Sequence, residues 1–184
     1  EGYLGKLYFA REISSHGYFR PVVLKYIKNQ YSHNRSLMRL LAQEIQQVSQ
    51  LNHQNLVQLY KLVKLENYTF VVNEYVDGIT LADVMERLRE NRRRFPPHVA
   101  CLFIYTLCGA LGYANRKKDI EGNEQEVAHG KICPDNVMIS KELDIKLLGM
   151  GLSKLNIMMQ FQQNCDPLDD AEHIAPEVTS TGIP

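Results

Sequence analysis

His129-Gly130-Lys131-Ile132-Cys133-Pro134-Asp135-Asn136, followed directly by Val137-Met138-Ile139, is the stretch on which the fold of this chain turns. Further on comes Ile145-Lys146-Leu147-Leu148-Gly149-Met150-Gly151-Leu152-Ser153. Val137–Ile139 and Ile145–Leu147 are short apolar runs and read as two strands. Between and around them lie a polar loop and a methionine flanked by glycines. Lys131 has a reference pKa near ~10.4, so at neutral pH it stays protonated and accepts no proton unless strongly desolvated. Gly149 offers no side-chain atom to a metal.

Upstream, the texture changes at Asp77-Gly78. Before it the chain is strand-rich. Leu7–Ile13 and Val22–Ile27 read as strands with a turn at His16-Gly17. Leu56–Leu65 and Tyr68–Tyr75 read as a hairpin around Glu66-Asn67. One helix is predicted from Arg35 to Leu51, with Leu37, Leu40, Leu41, Val48 and Leu51 on one face. After Gly78 the pattern is helical. Thr80 caps a short helix, with Asp83 at the capping-box position. Phe95-Pro96-Pro97 ends it, and Pro97 opens a long apolar helix to about Arg116. The expected organisation is a strand-rich lobe over residues 1–76 and a helical lobe over residues 77–184.

The 184 residues suffice for a sizeable core. Lys plus Arg and Asp plus Glu number 21 each, so no global field points to nucleic acid or an anionic membrane. Arg92-Arg93-Arg94 is a local exception, read as a solvated loop or helix end. Cys101, Cys108, Cys133 and Cys165 form no CxxC pair, which argues against zinc. Cys101 and Cys108 suit buried free thiols, and a reducing, cytoplasmic setting follows. No apolar run is expected to approach the ~20 residues needed to span a bilayer. Glu44 falls within the apolar helix face, where a carboxylate is costly unless paired. Lys25, in a strand otherwise free of charge, is its natural partner.

Taken together, these segments resemble the protein kinase superfamily, most closely Ser/Thr kinases of the bacterial eukaryotic-like group. His129–Asn136 is similar to the catalytic loop H-R-D-L-K-P-x-N, and Gly149-Met150-Gly151 to the metal-binding D-F-G. Pro21–Lys25 resembles the V-A-I-K strand. Leu51, His53 and Asn55 match L-x-H-x-N, and Ala175-Pro176-Glu177 matches A-P-E. Glu1–Tyr8 looks like the second half of a glycine-rich loop. The resemblance runs from Gly2 to Glu177. It implies an α+β fold with two lobes, shortened after the A-P-E motif, without the helices that would cover the lower lobe. Asp119–Glu126 is an insertion expected to form a surface loop.

The resemblance also implies a ligand, ATP or ADP. Gly2 and Gly5 would approach its phosphates, and Lys25, paired with Glu44, would hold them. Asn73 would guard the back of the adenine pocket, and Glu74 and Val76 would present backbone groups to adenine. Leu7, Val23 and Met138 would sandwich the ring. Where the family has its base, this chain has Lys131; where it has its main metal ligand, Gly149. Asn136 is left as a vestigial metal ligand, so Mg²⁺ is not expected to bind well. Met150 stands for a packing phenylalanine and Cys133 for a lysine. The implied function is a pseudokinase, a regulatory or scaffolding module in signalling. It would be cytoplasmic, or the cytoplasmic domain of a larger protein, with a protein partner. The alternative is an active atypical Ser/Thr kinase with displaced catalytic groups, for which Asp135 and Asp144 are the candidates.

Overall fold

The computed structural model describes residues 6–117 and 127–152. Gly2, Gly5, the insertion Asp119–Glu126, Ser153, Cys165 and the segment ending in Ala175-Pro176-Glu177 lie outside the described residues. The chain divides into two compact units. The first comprises Glu1–Gln50 and Gln58–Tyr75; the second comprises Leu51–Val57 and Val76–Pro184.

The first unit is a four-stranded antiparallel sheet accompanied by two helices. Its strands are β1 (Leu7–Ile13), β2 (Phe19–Ile27), β3 (Leu59–Leu65) and β4 (Tyr68–Glu74), in the order β1-β2-β4-β3. β2 begins three residues earlier than the sequence indicates. Pro21 lacks an N–H and reads as a strand boundary, yet it pairs with Arg11 here and the ladder continues to Ile13 opposite Phe19. The hairpin turn between β3 and β4 is carried by Glu66, at φ 53°. A short helix α1 (Asn29–Ser32) precedes α2 (Arg35–Val48). The Asn34 side chain caps α2 by accepting the Leu37 N–H at 3.1 Å. α2 buries Leu37, Leu41, Ile45 and Val48. Ile45 thus takes the core position, and Glu44 beside it is only half-buried.

The second unit begins with a three-stranded sheet, β5 (Gly78–Thr80), β6 (Val137–Ser140) and β7 (Ile145–Leu147), in that order. The segment 51–57 joins it from outside. Leu56 bridges to Leu147, and the N–H groups of Val57 and Leu147 donate to Leu147 O and Asn55 O. The Asn55 amide donates to Ile145 O at 2.8 Å. Helix α3 (Leu81–Glu90) starts with the expected capping box, in which Thr80 and Asp83 bond reciprocally. Helix α4 (Pro97–Asn115) follows, with Pro97 in its first turn.

Two expectations about α4 are corrected. Cys101 and Cys108 are exposed, not buried; of the four cysteines it is Cys133 that is described as buried. α4 is apolar around most of its circumference but buries only Phe103, Ala110 and Ala114, so the thiols fall on its open side. That apolarity also makes its 19 residues long and apolar enough to cross a membrane by length and composition. The expectation that no such segment exists overlooked how little His98, Thr106 and the glycines dilute it. In this fold α4 packs against β7.

Candidate functional site

In the first unit, β2 places Val23 and Lys25 on one sheet face, since alternate residues share a side. Leu7 lies opposite Lys25, and Asn73 opposite Val23. The four expected residues thus share that face. Leu7 is well exposed and the other three are half-buried. Desolvation pulls the Lys25 ammonium down to about 8, and no carboxylate among the described residues opposes it. The expected Lys25–Glu44 ion pair is therefore not made. Its physical reason is the phase of α2, which puts Ile45 into the core and leaves Glu44 at the border with contacts of its own. At the end of β4, the Glu74 N–H donates to Gln58 O at 2.8 Å. Its carboxylate accepts the Gln58 N–H at 3.0 Å. The Asn73 amide donates to Val71 O. Gln58 was not singled out from sequence; a backbone pairing of this kind leaves no side-chain signature.

In the second unit, His129 organises the loop. It is 3% exposed. Its Nδ1 accepts the Lys131 N–H at 3.2 Å, so Nε2 carries the proton and donates to Leu148 O at 2.7 Å. Burial lowers its pKa, consistent with a neutral ring. Gly130, at φ 79°, turns the backbone so that Lys131 can reach back. The Asn136 amide donates to Lys131 O at 2.9 Å, while Asn136 O accepts the Leu148 N–H. A 3-10 turn over Pro134–Asn136 delivers the chain into β6. The His129–Leu148 and Asn136–Leu148 bonds thus tie the loop to the segment after β7. Met138 is half-buried on β6, and Val76 is buried. Met150 and Leu152 are buried, between Gly149 at φ 85° and Gly151 at φ 70°. Burial raises the Cys133 thiol, which makes it unreactive.

This donor set does not fit a divalent cation. Mg²⁺ takes octahedral oxygen ligands and usually one or two carboxylates. Asn136 provides one amide oxygen, and Gly149 provides none. Lys131 is a donor where proton abstraction would need an acceptor.

The protein kinase domain family matches residues 1–182. The chain belongs to the protein kinase family. Among relatives of this kinase-family domain, the serine/threonine-protein kinase PknL of Mycobacterium tuberculosis is 26% identical over 163 residues. That match spans 89% of this chain and 38% of PknL. PrkC of Bacillus subtilis, also a serine/threonine-protein kinase, is 22% identical, across 99% of this chain and 26% of its own. The chain therefore spans well under half the length of these relatives. The kinase domain of M. tuberculosis PknI has the same fold, with a TM-score of 0.64 at 19% identity. That alignment covers 81% of this chain and 54% of the PknI domain. His129–Asn136 and Gly149–Gly151 are the two segments whose sequences resemble the family's catalytic loop and metal-binding segment.

Proposed function

We propose that this kinase-family domain is a pseudokinase that binds ATP or ADP without transferring phosphate and acts by presenting a surface to a protein partner. The observation that carries the reading is the joint replacement of both family aspartates, by Lys131 and Gly149. Lysine brings hydrogen-bond donors where a base would need an acceptor, and the metal would lose its main carboxylate. The missing Lys25–Glu44 pair points the same way, because an active kinase needs that pair in place.

Nucleotide binding is supported by Lys25. A half-buried ammonium without a carboxylate is costly, and a phosphate would offset it. Gly2, Gly5, Leu7, Val23, Asn73, Glu74, Val76 and Met138 complete the proposed set, with Glu44 kept as the family's partner position. Occupancy would then bias the conformation offered to the partner.

The test is thermal unfolding with ATP or ADP, with and without Mg²⁺. A metal-independent rise in Tm, lost in Lys25→Ala, is the expected result. Transfer of labelled phosphate by the purified chain, abolished by Lys25→Ala, would overturn the proposal. Restoring Lys131→Asp with Gly149→Asp makes a fair comparison, because aspartate is among the few residues that tolerate positive φ. The rival reading, an active kinase, would need displaced catalytic groups at Asp135 or Asp144. Asp135 and Asp144 are both exposed, and the Asp144 N–H is bound to Ser140 Oγ.

A further inference from the structure

Five of the eight residues from Arg87 to Arg94 are arginines, in a chain whose charges balance overall. The structure gives this run a definite shape. α3 ends with the Arg93 N–H reaching back to Leu88 O and the Asn91 N–H to Arg87 O. Such a closure is usually completed by a glycine in the left-handed region. Here Arg92 occupies it at φ 52°. The chain thus holds a bulky residue in a conformation that costs it stability. The effect is to fold Arg93 back beside Arg87.

Between α3 and β5 lies a groove of about 440 Å³. Its apolar floor is Ile79, Val84 and Leu88; Arg87, Asn91 and Arg93 line it as well. The acidic residues of α3 do not line it. Asp83 is engaged in the capping box, and Glu86 and Glu90 lie outside. Neither Arg87 nor Arg93 is held in an ion pair or side-chain hydrogen bond among the described residues. The Asn91 amide bonds to Arg87 O, which fixes the last turn; the Arg87 charge also acts on the Asp83 carboxylate one turn back, though the two form no ion pair.

We infer that this groove docks an acidic segment of a protein partner, with carboxylates on Arg87 and Arg93 and an apolar side chain on Ile79, Val84 and Leu88. Planar guanidinium forks match carboxylates bidentately. A concave apolar floor favours a peptide over a membrane surface. The inference names a partner surface for the binding module proposed above and rests on that reading only in expecting a protein partner. Peptide binding is measured without nucleotide, so its failure is distinct from failure of the pseudokinase reading.

The test uses fluorescence anisotropy with short labelled peptides pairing two glutamates with a nearby leucine or phenylalanine. Matched peptides carry glutamine or lysine in place of glutamate. Vesicles containing phosphatidylserine form a separate arm. Saturable binding of the glutamate peptides, at least about tenfold tighter than the glutamine ones, is expected. Arg87→Gln with Arg93→Gln should abolish it, with circular dichroism unchanged because both side chains are exposed. Arg92→Gly should keep it. Absence of binding up to millimolar peptide, equal binding of glutamine peptides, binding that survives the double substitution, or binding to vesicles alone would each overturn the inference.

Discussion

Lys25 carries a charge that no carboxylate among the described residues offsets. Its pKa falls from 10.5 to about 8 through desolvation. A folded-state pKa below the unfolded one means that the unfolded chain holds more protons between these values. Stability contributed by this site therefore rises from pH 8 to pH 10.5, and the penalty is fully present below pH 8. Lys25→Met is expected to stabilise the domain by on the order of 2 kcal/mol at pH 7. The gain should shrink toward zero near pH 10.5, as urea unfolding at several pH values will show. A gain that does not change with pH would place its cause elsewhere. At this scale the contiguous motifs of the candidate site are the legible part. His129, Lys131, Asn136 and Gly149 were legible because they sit at fixed spacing within one contiguous loop and turn. The Lys25–Glu44 pairing was not, because it depends on the rotation of α2 over the sheet. A shift of one residue between Glu44 and Ile45 decides which side chain faces inward, and the apolar stripe fits either.

Among the elements, β5 shows how one residue type permits a pairing. Gly78 lies opposite Ser140. A Cβ there would come within 2.1 Å of Ile139 O and 2.8 Å of Ser140 Cα, both backbone atoms. Gly78→Ala should cost roughly 2–3 kcal/mol by forcing β5 from β6, measured as a fall in the urea midpoint. A neutral result would mean that this edge strand contributes little. β5 itself escaped the sequence reading. Three residues, Gly-Ile-Thr, hold too short a pattern to register, and the four-residue α1 was missed for the same reason. The capping box at Thr80 was read correctly because its signal is local. The longer strands and α4 were found because their periodicity extends over several residues, whereas the exposure of α4 depends on what packs beside it.

At the scale of the whole chain, the flank of α4 that is exposed among the described residues is the main liability. Leu102 is 55% exposed, Ile104 63% and Tyr105 80%. Contiguous apolar surface of this kind promotes association. This chain should self-associate as its concentration rises, and Ile104→Glu with Tyr105→Glu should return it to monomer without lowering its Tm, as sedimentation velocity will report. Persistent association of the variant would assign the contact to another face. The division into two units has a consequence for synthesis on the ribosome. Leu51 and Leu56 are almost fully buried, 3% and 4% exposed. Asn55 beside them is bonded to Ile145, which lies 90 residues downstream. At ordinary elongation rates that interval takes about 5 to 20 seconds. During that time the nascent first unit trails an apolar thread between two of its own elements, with its eventual cover not yet translated. The interval between emergence and burial is when a chaperone would have most to hold.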